Sequence, residues 1–354
     1  MPRVVRGLPI GDGYPCFIIA EIGQNHQGDA NLAKELILKA KECGANCVKL
    51  QKSSLPDKFT KAALEREYVS ENSFGRTYGE HKEHLELSGE EYRDLQRYAN
   101  QLGVMFSASA MDKVSADLLI ELDVPFIKIG SGDTNNYQML EHIAKSGKPI
   151  ILSTGMQEFD TVKTAVSIIT KHHPDNLVLL HCVSAYPTPL QDVNLSLINL
   201  YKDTFSSVPI GYSGHELGIA VSIGAVALGA KVIERHFTLD KTLKGTDHRC
   251  SLDPDEFLAM VEGIRQVETA LIGEPHKTIL ASELPCNDKL GKSLVAVDTI
   301  REGDLLDIDN IVVKVSYPKG LQPERLFYIL GKMVNKTIEA DTPIKPEYII
   351  NLDL

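Results

Sequence analysis

The chain has 354 residues, of which 43% are hydrophobic, and this is long enough to bury one large core and a smaller second one. Its 48 acidic and 37 basic residues give a formal net charge of -11, which argues against a general role in binding nucleic acid or a membrane surface. Any anionic ligand must therefore be held by locally placed cations.

The six cysteines are scattered, and no two of them form a CxxC pair. This distribution favours reduced thiols in a cytoplasmic protein over a disulfide framework. The first apolar run, "CFIIA", is too short for a signal peptide, and the longest one, at 217–230, is interrupted by glycines and shorter than a membrane span. We therefore expect 217–230 to form a packed helix.

Short β-branched runs alternate with helical patterns over most of the chain. We predict eight strands, at 16–23, 45–51, 104–109, 125–130, 149–155, 177–184, 208–213 and 231–237. Helical patterns at 31–44, 89–103 and 139–147 each end in a glycine, and 254–273 supplies an eighth helix. Apolar strands separated by helices indicate a covered parallel sheet, and eight such units close a (β/α)8 TIM barrel. A doubly wound sheet is the structural alternative.

Two segments depart from this alternation. The polar stretch 52–87 is inserted after the second strand, where barrel enzymes carry substrate loops. Residues 274–290 have the composition of a linker, and residues 291–354 contain short strand patterns, turn residues and little helix. The predicted organisation is a barrel over 1–273, the linker, and a small β-rich domain over 291–354.

Polar residues gather at the carboxyl ends of the predicted strands, where a parallel barrel builds its active site. They are Glu21, Lys49, Gln51, Ser107, Ser109, Lys128, Ser131, Asp133, Ser153, Ser184, Tyr186, Tyr212, Ser213, His215, Glu234 and His236. Strand side chains alternate between two faces, so Lys49 with Gln51, and Glu234 with His236, share the face predicted to be the lumen. One such residue could be a satisfied core group, but agreement over eight strands indicates a functional mouth.

Two lysines in a barrel lumen, Lys49 and Lys128, are costly unless carboxylates or an anionic ligand compensate them. Glu21 and Glu234 could neutralise them in a purely structural network. The functional alternative is a small phosphate or carboxylate ligand, surrounded by serine hydroxyls and by the turns "GSG" and "STG". Both interpretations stay open at this point.

His215 and His236 follow adjacent strands, whose spacing of about 4.8 Å would let two imidazoles converge on one divalent ion. Each could equally be a hydrogen-bonded structural residue. A site with only two histidines would leave positions for water and substrate, which suits polarisation of a carbonyl. Arg235 has the opposite parity and is predicted to pair with a carboxylate on the surrounding helices.

Seven motifs, in order, resemble those of the sialic acid synthases: "FIIAEIGQNHQG", "VKLQKS", "KIGSGDTNN", "STGM", "SAYPTP", "GYSGHELG", and "ERHFTLDK" followed by "GTDH". The tail "KLGKSLVAVDTIREGDLL" resembles their antifreeze-like (SAF) domain, which has a β-clip fold. "GSGDTNN" and "YGEHKEHLE" are similar to the animal type. The resemblance implies a transferase that forms a C–C bond between phosphoenolpyruvate (PEP) and N-acetylmannosamine 6-phosphate, giving N-acetylneuraminate 9-phosphate.

The resemblance also assigns roles to matching positions. It implies Mn²⁺ or Mg²⁺ on His215 and His236, and it implies PEP binding by Lys49, Ser109, Lys128, Ser131, Ser153, Ser184 and Ser213. Sugar contacts are implied for Glu21, Gln51, Tyr186 and Asp247. For proton transfer the candidates are Glu21 and Asp133, with Glu234 a weaker one.

Two positions depart from the bacterial pattern: the SAF segment lacks an arginine, and Asp133 stands where many bacterial enzymes have Glu. Bacterial relatives place an arginine of the SAF domain on the partner subunit's sugar, but "VKVSYPKG" in this chain contains none, so Lys319 is the candidate replacement in an expected domain-swapped homodimer. Basic residues of 52–87 are candidates for binding the sugar 6-phosphate. The primary candidates are Lys61, Arg66, Arg76 and Lys82; Lys58 and His81 lie in the same stretch, and any of these could instead belong to a solvated surface.

Three other functions compete with this one. A synthase that uses the unphosphorylated sugar is the nearest alternative. A Schiff-base aldolase with Lys128 as its nucleophile is chemically possible, because a desolvated strand lysine in a barrel serves that purpose. A carbohydrate-binding or ice-binding scaffold would require an inert barrel, which the strand-end residues argue against.

Overall fold

Eight parallel strands close into a barrel in the computed structural model, which describes residues 5, 7–273 and 276–352. They are β1 Phe17–Gly23, β2 Cys47–Lys52, β3 Met105–Ala110, β4 Ile127–Ile129, β5 Ile150–Ser153, β6 Leu177–Cys182, β7 Ile210–Gly214 and β8 Val232–His236. Each strand pairs with the next, and β8 pairs with β1. The TIM-barrel prediction is therefore confirmed, every strand end lies within two residues of its predicted position, and the doubly wound alternative is wrong.

Helices cover the outer face of this barrel and fill the insertion after β2. They are α1 Ala30–Glu42, α2 Leu55–Lys58, α3 Lys61–Glu65, α4 Tyr78–Leu85, α5 Gly89–Leu102, α6 Lys113–Glu121, α7 Tyr137–Lys145, α8 Phe159–His172, α9 Leu197–Thr204, α10 Ala220–Ala227 and α11 Pro254–Ala270. α5 shows how local sequence sets these bounds. Ser88 and Glu91 form a reciprocal capping box at its start, and Gly103 ends it at φ 70°, a left-handed conformation that glycine adopts without strain.

The side chains that point into the lumen change from apolar to polar along the strands. The lower layer, at the amino ends, is a buried cluster made of Val5, Leu8, Ile10, Phe17, Ile19, Cys47, Phe126, Ile151, Val178, Leu180 and Val232. Two residues further along the strands, on the same inward face, lie Glu21, Lys49, Lys128, Ser153 and Glu234. The switch to polar residues thus marks the boundary between packed core and site.

Strand register places polar residues of neighbouring strands side by side. Glu21 of β1 lies opposite Lys49 of β2 on one side and opposite His236 of β8 on the other. Ser109 lies opposite Lys128, and Ser213 lies opposite Glu234. Backbone pairing alone therefore makes charged residues neighbours that are far apart in sequence.

The insertion between β2 and α5 is folded, although its polar composition had indicated a loop. Its three short helices, α2 to α4, are held by a capping box between Thr77 and Glu80 at the start of α4 and by the Tyr68 and Tyr78 rings, 5.4 Å apart. Lys52 Nζ bonds Glu86 at 2.9 Å and ties the insertion to the barrel. It is an ordered cover beside the mouth.

The second unit spans 274–354 and has its own core. Two antiparallel strands, β9 Lys292–Ala296 and β10 Ile311–Val315, pack with the short helix α13 Leu326–Ile329 around residues such as Leu294, Ile329 and Ile344. Helix α12 Leu284–Leu290 occupies the end of the predicted linker. In the described part of the chain, no helix is both long and apolar enough to cross a membrane.

A buried ion pair joins the end of β7 to β8. Arg235, fully buried, donates to Glu216 Oε1 at 2.8 Å and to Ser222 Oγ of α10 at 2.9 Å, while the Tyr212 hydroxyl donates to Glu216 Oε2 at 2.7 Å. The predicted carboxylate partner of Arg235 thus exists, but it lies in the loop after β7 rather than on a helix. This loop also carries His215, so the pair fixes that histidine relative to β8.

We expect Glu216→Gln to lower the free energy of unfolding by about 3 kcal/mol, because removing one partner leaves the Arg235 charge buried and uncompensated. Urea denaturation followed by circular dichroism measures this. Glu42→Gln is the matched control: its pair with Lys39 is exposed, so the loss should stay below about 1 kcal/mol. Equal midpoints for the two variants would contradict the assignment.

Candidate active site

A cavity of about 520 Å³ opens at the carboxyl ends of the strands. Its lining contains Glu21, Gln24, Lys49, Gln51, Lys58, Tyr78, Lys82, Ser109, Met111, Lys128, Ser131, Asp133, Ser153, Met156, Cys182, Ser184, Tyr186, Ser213, His215, Glu234, His236, Thr246 and Asp247. A volume of this size fits a small-molecule site. Every strand-end residue assigned to metal, PEP, sugar or proton transfer lies in this one cavity.

Two lysines and two glutamates form the cavity floor. Lys49 Nζ is ion-paired with Glu21, lies 3.7 Å from Glu234 Oε2 and donates to Ser109 Oγ at 2.9 Å. Lys128 Nζ donates to Ser153 Oγ at 2.7 Å and lies 3.8 Å from Glu234 Oε1. The structural network that the sequence left open is therefore present, and it faces the cavity.

The floor charges shift each other's pKa. Burial alone would raise the pKa of Glu234, but the ammonium groups of Lys128 and Lys49 outweigh it and hold that pKa at about 2. Burial raises the pKa of Glu21, and the nearby Glu234 charge adds to this. Burial lowers the pKa of Lys128. Glu234 is thus a fixed anion, whereas Glu21 is the floor carboxylate better able to take up a proton.

Hydroxyl and amide groups form one wall above this floor. The Gly155 amide donates to Ser131 Oγ at 3.0 Å, and a Cβ at position 155 would lie 2.8 Å from that oxygen and collide with Ser184 Oγ. Glycine is therefore required for two serine hydroxyls to approach the "STG" turn. Converging hydroxyl and amide groups of this kind bind phosphate or carboxylate oxygens.

His215 and His236 stand side by side in the cavity lining, with ring centroids 5.4 Å apart. The Nδ1 of His215 lies 2.9 Å from the Val183 carbonyl, and its side chain also hydrogen-bonds Cys182, so the ring is fixed. Burial lowers the pKa of His236 to about 4, so its imidazole is neutral, the form that binds metals. The Tyr186 ring lies 4.2 Å from the His215 ring.

These residues fit an open divalent-metal site. The Nδ1 of His236 and the Oε2 of Glu234 are buried without a hydrogen-bond partner among the described residues. Asp247 Oδ2 lies 3.9 Å from that Nδ1. No cluster of three or more potential protein ligands occurs in the described part of the chain, so an ion here would complete its shell with water or substrate.

Asp133 lies on the other side of the mouth, just after β4. Burial raises its pKa to about 6, Asp112 contributes to the rise, and Lys58 opposes it. A carboxyl with that pKa can accept and return a proton near neutral pH. The sequence identified Asp133 only by its position, because its burial depends on the folded insertion.

The basic candidates of the insertion divide into two groups. Lys82 lines the cavity, whereas Lys61, Arg66 and Arg76 are exposed and outside the lining. Lys61 pairs with Glu65 at 3.6 Å, and the Arg66 guanidinium lies over the Tyr78 ring. Lys58, which was not among the four primary candidates, does line the cavity.

Two other placements complete the comparison with the sequence. Lys319 belongs to the second unit, where its ammonium donates to the Gly291 carbonyl. Gln24, Met111, Met156 and Thr246 also line the cavity, from loops after strands. Gln24, Met156 and Thr246 lie inside the motifs quoted above, but as uncharged residues they had been given no role. Cys182 ends β6 on the inward face, and strand parity could have identified it.

We expect Asp133→Asn to stabilise the protein at pH 7.5 by about 1–2 kcal/mol, because the wild type holds a half-buried carboxylate charged there. In the folded protein the pKa of Asp133 is about 6, above its ordinary value of 3.8, so folding favours the protonated carboxyl. The wild type therefore loses stability as the pH rises from about 4 through about 6. The gain should therefore shrink towards zero near pH 4.

Thermal unfolding of both proteins at pH 7.5 and pH 4 measures this difference. The exposed Asp123→Asn variant, which loses a surface pair with Lys148, is the control and should show no such stabilisation. An Asp133→Asn variant that is no more stable than the wild type at pH 7.5 would contradict a raised pKa.

Comparison with known proteins gives a consistent result over the whole chain. The family described as NeuB matches residues 36–277, and the SAF domain matches residues 291–349. N-acetylneuraminate-9-phosphate synthase of Homo sapiens is 54% identical over 98% of this chain and 96% of its own length, and the Drosophila melanogaster protein of that name is 47% identical over 95% and 96%. The N-acetylneuraminic acid (sialic acid) synthetase of Leptospira borgpetersenii, solved with citrate, superimposes with a TM-score of 0.68 at 35% identity, covering 80% of this chain and 94% of that one. The chain belongs to the NeuB family.

Proposed function

We propose that this chain condenses PEP with N-acetylmannosamine 6-phosphate to give N-acetylneuraminate 9-phosphate and phosphate. One observation carries the proposal: an anion-binding floor and a two-histidine site share a single cavity. The names of the human and Drosophila relatives support the same product. The unphosphorylated sugar is the alternative acceptor.

Binding of PEP is assigned to the floor and to the serine wall. Lys49 and Lys128 offer ammonium groups, and Ser109, Ser131, Ser153, Ser184 and Ser213 offer hydroxyls. Because Glu234 already neutralises part of the charge of the two lysines, the hydroxyl and amide donors make most of the directional hydrogen bonds to PEP.

Sugar binding is assigned to Gln51, Tyr186 and Asp247, which surround the two histidines. When bound to His215 and His236, Mn²⁺ or Mg²⁺ would polarise the aldehyde of the open-chain sugar as a Lewis acid. The Gln51 amide donates to Glu21 Oε1 at 2.8 Å and so fixes that carboxylate. Lys319 remains a proposed sugar contact, made across the subunits of a homodimer.

The chemistry proceeds by attack of C3 of PEP on the aldehyde carbon. Water then adds at C2 of the resulting oxocarbenium ion, and the tetrahedral intermediate loses phosphate by C–O cleavage. Glu21, with its raised pKa, is suited to take the proton from the attacking water, and Asp133 to exchange a proton near the mouth. Glu234 stays ionised and stabilises the developing cation.

We expect the metal-stripped protein to release phosphate from PEP only after Mn²⁺ or Mg²⁺ is added, and to prefer N-acetylmannosamine 6-phosphate over the free sugar. Phosphate release and mass spectrometry of the product measure this. Equal or better use of the free sugar would favour the alternative, a synthase that acts on the unphosphorylated sugar. Phosphate release without added metal would contradict the assignment of a metal to the two histidines.

His236→Ala should lower metal-restored turnover on the order of 100-fold or more. It should also abolish the Mn²⁺ binding that electron paramagnetic resonance measures in the presence of the substrates. His142→Ala, outside this cavity, is the control and should leave both unchanged. A borohydride-trapped adduct on Lys128 would instead favour the aldolase.

A further inference from the structure

The cavity has a second basic region, at its mouth, which the floor does not explain. Lys58 and Lys82 both line the cavity, and both come from the insertion between β2 and α5 rather than from a strand. Lys58 is the last residue of α2, and Lys82 lies in α4. We call these two residues the mouth lysines.

The mouth lysines lack the carboxylate partners that the floor lysines have. Among the described residues, neither is within ion-pair distance of a carboxylate; Lys58 Nζ touches Met111 Sδ, and Lys82 Nζ donates to the neutral Gln24 Oε1 at 2.9 Å. A thioether and an amide do not neutralise charge, and the carboxylates that act on these lysines, Asp133 on Lys58 and Asp247 on Lys82, lie beyond ion-pair distance. Lys52 provides the contrast, since the same insertion supplies it with Glu86 at 2.9 Å.

The two ammonium groups also act on each other. Burial lowers the pKa of Lys58, and burial together with the charge of Lys58 lowers the pKa of Lys82. Two half-buried cations that repel one another are unfavourable in the empty protein. An anion placed between them would relieve both the desolvation and the repulsion.

The insertion holds the mouth lysines in fixed positions. Tyr78 and Lys82 are four residues apart on α4, so both side chains lie on the face that meets the cavity. The Phe59 and Tyr78 rings pack edge to face at 5.5 Å and join the end of α2 to the start of α4. Lys58 is thereby fixed relative to Lys82, as expected for a built anion site rather than a solvated surface.

We propose that Lys58 and Lys82 form a phosphate clamp that binds the 6-phosphate of the acceptor sugar and so determines the preference for a phosphorylated substrate. This inference rests on the function proposed above. A phosphate monoester carries close to two negative charges at neutral pH, which matches two unpaired ammonium groups. The clamp and the PEP floor are separate regions of the same cavity, so the two substrate anions do not compete.

The test compares Lys58→Gln, Lys82→Gln and their double variant with the wild type, using PEP, N-acetylmannosamine 6-phosphate and the free sugar. Each single variant should raise KM for the phosphosugar on the order of 10- to 100-fold, as expected for losing a charged hydrogen bond. The KM for PEP and turnover of the free sugar should change by less than about threefold. Lys82→Arg, which keeps the charge, should recover part of the loss.

Two controls separate the clamp from long-range charge effects and from the exposed candidates. Lys113→Gln removes the same charge from a nearby exposed residue outside this cavity. The double variant Lys61→Gln and Arg66→Gln removes charge from the same insertion. Neither should raise the phosphosugar KM by more than about threefold, and circular dichroism melts would identify any variant that is merely misfolded.

Calorimetric measurement of N-acetylmannosamine 6-phosphate binding tests the clamp independently of catalysis. If the wild type binds the phosphosugar but does not turn it over, the proposed function fails, and the clamp is supported when the glutamine variants lose that binding. A raised KM for PEP in the mouth variants, or an effect confined to the Lys61 and Arg66 variant, would overturn the clamp. Unchanged phosphosugar binding in the double mouth variant would overturn it as well.

Discussion

The structure depends on keeping two lysine charges inside a barrel. Lys49 and Lys128 are buried, and Glu234 lies within 4 Å of both, while Glu21 pairs with Lys49. This is possible because each of the four follows, two positions along its strand, a residue of the apolar lumen layer, so that all four face the same end of the lumen. Each charge would be prohibitively costly alone, so the network must form as a unit when the barrel closes.

The contacts between β8 and the end of β7 stabilise the fold and also position functional groups. The Arg235 side chain leaves β8 on the outer face and holds the loop that carries His215, while its neighbours Glu234 and His236 face inward. Alternation along one short strand therefore separates a structural charge from two functional groups. The distance between the two imidazoles is set by backbone elements on both sides rather than by a flexible loop.

The strands and their polar ends could be predicted from the sequence because both follow from periodicity. Parity placed Lys49, Lys128 and His236 on the inward face without any knowledge of contacts. The insertion was less accessible: its helices are short, their sequences are polar, and tertiary packing rather than an apolar stripe fixes them. Lys61 was therefore preferred to Lys58 as a phosphate-binding candidate, although of the two only Lys58 reaches the cavity. The raised pKa of Asp133 was likewise invisible because it depends on burial by that insertion.

The cavity lining has a consequence for the order in which ligands assemble. Among the described residues that line it, Lys49, Lys58, Lys82 and Lys128 are balanced by Glu21, Asp133, Glu234 and Asp247. A lining without excess charge can accept one anion beside the mouth lysines, but a second anion is then opposed unless a cation enters with it. Divalent ion and anionic substrates must then strengthen each other's affinity, and by thermodynamic reciprocity each does so to the same extent. An enzyme built this way retains its cation poorly between turnovers and holds it most tightly when both substrates are present.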